Sequence, residues 1–352
     1  MLWVRVWHPV GGEVCMIRGM AADSSSVSGG GVTRLAPSPT GALHLGTVRT
    51  FVINWVMARR RGWRVVMRIE DLDGPRVKEG VVEGTLDVLR WLGLDWDEGP
   101  YEQLGDLSAY EDALRGLAGR GRLYECVCTR REIEAAQSAP HGDEHELRYP
   151  GTCRVGLAER EGLDVGAAMA GGGALRFVVE EGEVVFEDGV MGEQRVDVAG
   201  QVGDFVVATK AGLPAYQLAV VVDDARQGVT DVVRGDDLVR SAGRQLQLYR
   251  ALGLEGVEPR YWHVPLVVGE DGRRLAKRHG DTRVAMYREM GVGAERVLGL
   301  MARWCGLGGV RREMGMDEFV GWFELGRVPG GPMVFSGEDD EWLRAGVGAT
   351  ME

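Results

Sequence analysis

Apolar residues in this chain recur at two spacings, and the changes between them mark out the elements. Val32 to Ala36 reads as a short strand. Thr47 to Arg61 (TVRTFVINWVMARRR) reads as a long helix closed by Gly62, the residue type that a helix C-cap favours. Trp63 to Ile69 (WRVVMRI) is an apolar strand. Val81, Val82, Leu86, Leu89 and Leu92 keep helical spacing within Lys78 to Leu92, and LGLDWDEGP, Leu92 to Pro100, closes a first βαβ half. Another helix, Leu107 to Gly119, carries Tyr110, Leu114 and Leu117 on one face. Residues 155–173 are rich in Ala and Gly and read as a loop with a poor helix. Leu175 to Asp188 (LRFVVEEGEVVFED) reads as a hairpin turning at Glu181-Gly182.

The pattern resumes at Asp204 with a strand and a turn at Gly212-Leu213-Pro214. Tyr216 to Val222 is rich in valine and is expected to be a strand. Val229 to Val233 is a further strand. A helix then begins at Asp236/Asp237 and carries Leu238, Leu246, Leu248 and Leu252. Trp262 to Val268 reads as a buried strand. Val284 to Cys305 is helical in pattern but broken in two by Gly291 and Gly293, and Met301, Trp304 and Cys305 are expected in the core. Met316 to Phe335 gives a second short helix and a turn.

Composition narrows the class. The 352 residues, 45% apolar and 27% charged, suffice for one large or two medium domains. A net charge of −12 leaves no global basic footprint, so a nucleic-acid partner must meet a local patch. No apolar run approaches the roughly 18 residues of a membrane span. The first twenty residues lack the apolar core and cleavage site of a signal peptide, so a cytoplasmic protein is expected. AADSSSVSGGG reads as a flexible tract. Residues 1–31 are therefore expected to be a flexible extension, and Met20 stands beside Met1 as a candidate start.

Chemistry concentrates at Arg34 to Gly46, RLAPSPTGALHLG. A rigid turn of small residues feeding a helix N-terminus suits a phosphate, because free backbone N–H groups and the positive end of the helix dipole meet there. His44 can add a side-chain donor; the alternative is a junction that only turns the chain. Glu70, Asp71 and Asp73 follow a buried strand, which puts carboxylates where open α/β sheets bind ligands; the alternative is a solvated acidic loop. Arg234, at a strand end, needs a partner if it is buried. That partner is either Asp236 or Asp237 in a structural ion pair, or a substrate carboxylate that fits the guanidinium fork. GEDGRRLAKRHGD, Gly269 to Asp281, is a cationic loop, either a lid over a triphosphate or a solvated turn.

Three of the five cysteines cluster: Cys126 and Cys128 in YECVCT, and Cys153 in RYPGTC. Such spacing suits a zinc site in a reducing compartment better than a disulfide framework. The fourth ligand stays open between His141 or His145, by ligand chemistry, and Tyr149.

These stretches together resemble the glutamyl group of class I aminoacyl-tRNA synthetases. APSPTG-x-LH-[LIV]-G resembles the HIGH motif, with Thr47 at its fourth letter, and RIED-x-D, YQLA-x-VVDDA and V-x-RG-x-DL match the group's pattern. RLAKRHG resembles the KMSKS loop in its KLSKRHG form. Lys277 keeps the lysine position, while Arg274 and Ala276 depart from the pattern, Ala276 removing one hydroxyl toward ATP. C-x-C…Y-x3-C and the short region after the loop resemble the glutamyl-queuosine tRNA(Asp) subgroup, which lacks the anticodon-binding region. That likeness makes Tyr149 the fourth ligand with Cys126, Cys128 and Cys153.

The resemblance implies an α/β fold: a class I synthetase Rossmann-type parallel sheet split by a zinc-binding insertion, with a short helical C-terminal tail. Its parts would be residues 32–105 and 204–285 for the two catalytic halves, 106–203 for the insertion and 286–352 for the tail. It implies glutamate contacts by Arg34, Leu35, Ala36, Pro37, Ser38, Glu70, Tyr216 and Arg234, and ATP contacts by Thr40, His44, Gly46 and Lys277. His44 and Lys277 would be catalytic. Two arginines and one glutamate around one ligand favour an acidic amino acid. ATP with Mg²⁺, one structural Zn²⁺, L-glutamate and queuosine-bearing tRNA(Asp) would be the cofactors and partners of a monomer. A truncated enzyme charging a tRNA 3′ end and a nonenzymatic nucleotide- and tRNA-binding module are the rivals.

Overall fold

The computed structural model describes residues 3–7, 14–18, 30–39, 43–72, 80–135, 147–275, 281–309 and 311–345. Residues 1–30 form a unit of their own. In it β1 (Trp3–Trp7) pairs antiparallel with β2 (Val14–Arg18), so this stretch contains a hairpin as well as the expected Ser/Gly tract.

From Gly31 onward the chain is built on a parallel sheet. β3 (Val32–Leu35) runs into α1 (Leu45–Arg61), which leads to β4 (Arg64–Ile69), α2 (Val81–Trp91) and β5 (Glu98–Glu102). β3, β4 and β5 are parallel neighbours. α3 (Ser108–Ala118) follows, and then β6 (Leu123–Cys126), α4 (Arg130–Ala135), α5 (Leu157–Glu161), α6 (Val165–Ala170) and β7 (Ala174–Phe177). β8 (Glu183–Asp188), β9 (Gly192–Asp197), α7 (Val198–Gln201) and β10 (Phe205–Ala208) come next. α8 (Tyr216–Arg226), β11 (Asp231–Gly235), α9 (Val239–Leu252), β12 (Arg260–Val264) and β13 (Val267–Val268) complete the central part. The rest comprises α10 (Val284–Glu289), α11 (Ala294–Trp304), α12 (Met316–Trp322), β14 (Met333–Val334) and α13 (Gly337–Arg344).

β11 lies beside β3. Thr230, just ahead of β11, donates its N–H to the Val32 carbonyl, and its hydroxyl oxygen accepts the Val32 N–H. The spatial order is therefore β5-β4-β3-β11-β12-β8-β9, parallel from β5 to β8. The sheet order reverses between β3 and β11, which opens a crevice at the carboxyl ends of those strands. β6, β7 and β10 form a separate antiparallel sheet.

Three expectations are corrected. Tyr216 to Val222 is the first part of helix α8, not a strand. It is buried almost all round, so valine's preference for strands is overridden by packing against α3, α9 and β10. Leu175 to Asp188 is not one hairpin: its first run is β7 in the antiparallel sheet, and its second, β8, crosses to the central sheet, where Asp188 pairs with Tyr261. The hairpin is instead β8–β9. Trp262 to Val268 is two strands, interrupted around Pro265.

The two-residue period of the strands decides what reaches each face. Val65, Met67, Ile69, Leu35 and Val233 pack on one side with α1, α2 and the helices from α10 onward. Val32, Val66, Val232 and Tyr261 pack on the other with α3, α8 and α9. α1 is buried along nearly its whole length, and its last turn stops at Gly62 in the left-handed conformation (φ 65°). A buried amide ties α1 to β3: Asn54 donates to the Arg34 carbonyl and accepts from the Thr33 hydroxyl, both at 2.9 Å.

That amide generates a prediction. Asn54→Ala strands a buried hydroxyl and a buried carbonyl at the strand that carries Arg34, so stability in urea unfolding should fall by about 2 kcal/mol or more.

Candidate active site

The crevice at the β3/β11 switch holds a cavity of about 440 Å³. Its wall includes Arg34, Ala36, Pro37, Ser38, His44, Gly46, Glu70, Tyr216 and Arg234. Nine of the residues singled out from the sequence thus converge on one space. Leu35 does not join them; it is fully buried and points into the core packed on α1. Thr33, two residues back on β3, also faces α1, while Arg34 between them turns to the cavity, and this alternation sends Leu35 inward. Thr40 and Lys277 lie outside the described residues, as do Asp73 and Ala276.

His44 is the N-cap of α1 in extended conformation (φ −83°, ψ 156°), and Gly46 and Thr47 of the first turn line the cavity. A Cβ at Gly46 would come within 3.3 Å of the Val267 Cβ, so a glycine lets the turn sit close against β13. Leu45 donates its N–H to the Thr282 carbonyl, Val284 donates to the Leu43 carbonyl, and His44 bridges Arg283. The turn is thereby joined to the chain that leaves the cationic loop. Arg274, ahead of Lys277, also lines the cavity and pairs with Asp237 at 2.7 Å. A phosphate fits the helix end.

The side of the cavity toward α8 and α9 is a charge network. Arg34, Arg68 and Arg234 sit at alternate-face positions that all turn toward α8 and α9. Asp224 on α8 accepts from Arg68 Nη1 at 2.7 Å and from Arg34 Nε at 3.3 Å. Arg68 reaches Glu70 at 3.2 Å and Asp223 at 3.7 Å. Asp223 also accepts from Tyr110, Gln103 and Arg226. Glu70, Asp223 and Asp224 thus face Arg34, Arg68 and Arg226. Burial pushes the Glu70 carboxyl above its ordinary value, against Arg68 and Arg34, which favour the charged form. Burial likewise raises Asp223, against Arg68 and its hydrogen bonds.

Arg234 stands outside this balance. It is buried, and its guanidinium donates to His263 Nε2, Gln245 Oε1 and the Leu238 carbonyl, all neutral acceptors. Among the described residues no carboxylate pairs with it, so the expected alternative of an ion pair with Asp236 or Asp237 is not what the structure shows. Asp223, Asp224, Gln245 and His263 were not singled out from the sequence. The signal for the two acids was present: adjacent carboxylates ending an apolar run.

A second cluster lies in the antiparallel sheet region. The sulfurs of Cys126, Cys128 and Cys153 lie within 4.8 Å of one another. The Tyr149 hydroxyl is 3.5 Å from Cys126 Sγ and 3.8 Å from Cys128 Sγ, and Cys128 and Cys153 Sγ are 3.4 Å apart. Tetrahedral zinc with Zn–S near 2.3 Å needs sulfur edges of about 3.8 Å. The three sulfurs cluster on that scale, with the Cys128–Cys153 edge shorter, and the Tyr149 oxygen beside them accepts the Cys153 N–H at 2.8 Å. Burial pushes the Cys128 thiol up to about 11, while the hydrogen bonds of Tyr149 and Cys128 outweigh burial at Cys153 and hold it at about 7. The Arg176 guanidinium stacks 3.6 Å from the Tyr149 ring centroid. His141 and His145 lie outside the described residues. Between this cluster and α8 is a cavity of about 610 Å³, lined in part by Arg130, Arg176, Lys210 and Arg244. Tyr216 lines both cavities.

Residues 32–330 match the family described as tRNA synthetases class I (E and Q), catalytic domain, and the chain belongs to that family, a ligase of the aminoacyl-tRNA synthetase type. Among its relatives is a Glutamyl-Q tRNA(Asp) synthetase of Symbiobacterium thermophilum, 44% identical over 324 residues that cover 89% of this chain and 98% of the relative. A protein of the same name from Rhodopirellula baltica is 47% identical over 287 residues, covering 78% and 85%. The solved glutamate-tRNA synthetase of Elizabethkingia anophelis has the same fold, with a TM-score of 0.73 at 26% identity over 90% of this chain and 70% of that one.

The network itself predicts a penalty. Asp224→Ala leaves two buried guanidiniums short of their shared acceptor, so unfolding free energy should drop by about 3–5 kcal/mol in chemical denaturation.

Proposed function

We propose that this protein activates L-glutamate with ATP and transfers the glutamyl group to the queuosine base at the wobble position of tRNA(Asp). The observation that carries the amino-acid choice is Arg234, a buried cation that faces a cavity and whose partners among the described residues are all neutral. A buried charge is costly until an anion joins it, and the side-chain carboxylate of glutamate is one that a guanidinium fork holds well. Glu70 accepts from the α-ammonium, and Arg34 and Tyr216 complete the pocket. Relatives of nearly the same length, named for glutamyl-Q tRNA(Asp), support the choice of acceptor.

In the first step an oxygen of the glutamate α-carboxylate attacks the α-phosphorus of ATP. The bond to pyrophosphate breaks and glutamyl-adenylate remains. The reacting groups are held side by side, so no side-chain nucleophile is required. The Gly46 and Thr47 amides in the first turn of α1, with His44 and Lys277, receive the charge that grows on phosphorus, with Thr40 beside ATP. Mg²⁺ accompanies the triphosphate without a dedicated cage. In the second step a hydroxyl of the queuosine diol attacks the carbonyl carbon of the adenylate, and AMP leaves. The acceptor reaches that carbon from the cationic second cavity, across Tyr216. Cys126, Cys128, Cys153 and Tyr149 would hold a structural zinc ion, whose contribution would be to stabilise this region rather than to take part in the reaction. The protein acts as a cytoplasmic monomer.

The likeness to a glutamate-tRNA synthetase favours one second reading, charging of a tRNA 3′ end from the same pocket. Labelling of purified tRNA(Asp) with radioactive glutamate and ATP separates the two. Label should require queuosine, be lost when the queuosine diol is oxidised with periodate beforehand, and remain on the tRNA after its 3′ terminal nucleotide is removed enzymatically. Label on queuosine-free tRNA at the 3′ end would transfer the assignment to the charging reaction. No label and no pyrophosphate exchange would leave only a binding module.

The purified protein should also carry a single zinc ion by atomic emission, and Cys153→Ala should lose it. Full zinc occupancy in Cys153→Ala would remove Cys153 from the ligand set.

A further inference from the structure

Arg234 is held from behind by two buried side chains from distant parts of the chain. Asp188, at the end of β8, places its Oδ2 2.6 Å from Nδ1 of His263 on β12, and neither side chain is exposed. The other oxygen of Asp188 accepts the backbone N–H groups of Val190 and Met191 at 3.0 and 2.9 Å. On the far side of the imidazole, Arg234 Nε lies 3.0 Å from His263 Nε2.

We propose that Asp188, His263 and Arg234 form a positioning relay, in which Asp188 fixes the tautomer of His263 so that its Nε2 lone pair orients Arg234 toward the substrate carboxylate. The proposal rests on the reading of Arg234 as the partner of that carboxylate. Asp188 and His263 touch no substrate and are positioning residues.

Donor and acceptor bookkeeping leaves one arrangement. A guanidinium is always protonated and only donates, and an ionised carboxylate only accepts. His263 must therefore carry its proton on Nδ1 and a lone pair on Nε2. Burial pushes the His263 imidazolium down, against the Asp188 hydrogen bond, so the neutral ring is the form held in place. At Asp188, burial acts upward, but the hydrogen bonds from His263, Met191 and Val190 keep the carboxyl below its ordinary value.

The arrangement separates alignment from neutralisation. A carboxylate set directly against Arg234 would orient it but would also cancel the charge that attracts the substrate. Here the acid stands one residue back, and an imidazole transmits the direction while Arg234 keeps its charge. Gln245 Oε1 and the Leu238 carbonyl fix the two terminal nitrogens. Tyr261, stacked on the His263 ring, lies 5.0 Å from the guanidinium carbon. Of five N–H donors, three are taken by described residues, and among these residues one on each terminal nitrogen is left for a carboxylate.

ATP–pyrophosphate exchange with the full-length protein, scored as separate KM values for glutamate and ATP, tests the relay. Asp188→Asn keeps the shape but offers an N–H to Nδ1, which turns the His263 proton onto Nε2 and sets it against Arg234. The glutamate KM should rise about tenfold or more while the ATP KM stays within about twofold. Gln at position 263 puts an amide oxygen near the place of Nε2 without needing Asp188. His263→Gln should therefore keep the glutamate KM within about threefold and make the protein indifferent to Asp188→Asn. An unchanged glutamate KM in Asp188→Asn, an equal rise in both KM values, or no rescue by His263→Gln would overturn the relay. If Asp188→Asn does not fold, His263→Gln is compared with His263→Leu: a loss in glutamate KM for Leu alone supports the relay, and equal losses refute it. Arg234→Ala keeps the two readings apart. If it leaves the glutamate KM unchanged, the pocket assignment fails. If it raises that KM while Asp188→Asn does not, only the relay fails.

Discussion

Three guanidiniums rise from one face of a buried parallel sheet, at positions 34, 68 and 234, and the interior must accommodate their charge. The way it does so organises the molecule around the crevice. α8 brings Asp223 and Asp224 over that face, where they meet Arg68 and Arg34. A strand would have sent these two adjacent carboxylates to opposite sides. A helix lets both reach the same network, which gives a reason for the valine-rich segment to be helical despite its composition. Once two arginines are balanced in this way, the third is left to be balanced from outside, and its position at the strand end decides where.

Much of the site could be read from the chain because it depends on local order. A strand, a turn of small residues and a helix N-terminus are consecutive, so Arg34, His44 and Gly46 were identifiable together. Glu70 was legible as the residue following a buried apolar strand. Arg234 was legible as a costly group in need of a partner. What that partner would be was not legible, because the groups that answer the question come from elsewhere. His263 is 29 residues from Arg234 and 75 from Asp188. Nothing in the spacing of YWHVP marks its histidine as different from one merely packed in the core.

The errors in reading the fold have the same origin. Leu175 to Asp188 has the right turn residues for a hairpin, but the chain changes sheets there. Its second half pairs with β12, a strand more than seventy residues further on. Leu35 sits inside a motif whose other members line the cavity, yet the period of two turns it toward α1. Local pattern identifies elements and turns; partnership across the sheet is set by topology.

β14 bears on the cavity in a different way. It pairs parallel with β13 and matches Val267 with Met333, while Val267 itself lines the crevice and packs on Gly46. Met333 donates its N–H to the Leu266 carbonyl, and Phe335 donates to that of Val268. The segment at 333–335 is thus an outer brace for the crevice wall, so sequence drift or trimming there would be felt at Val267 and Gly46, on the far side of β13.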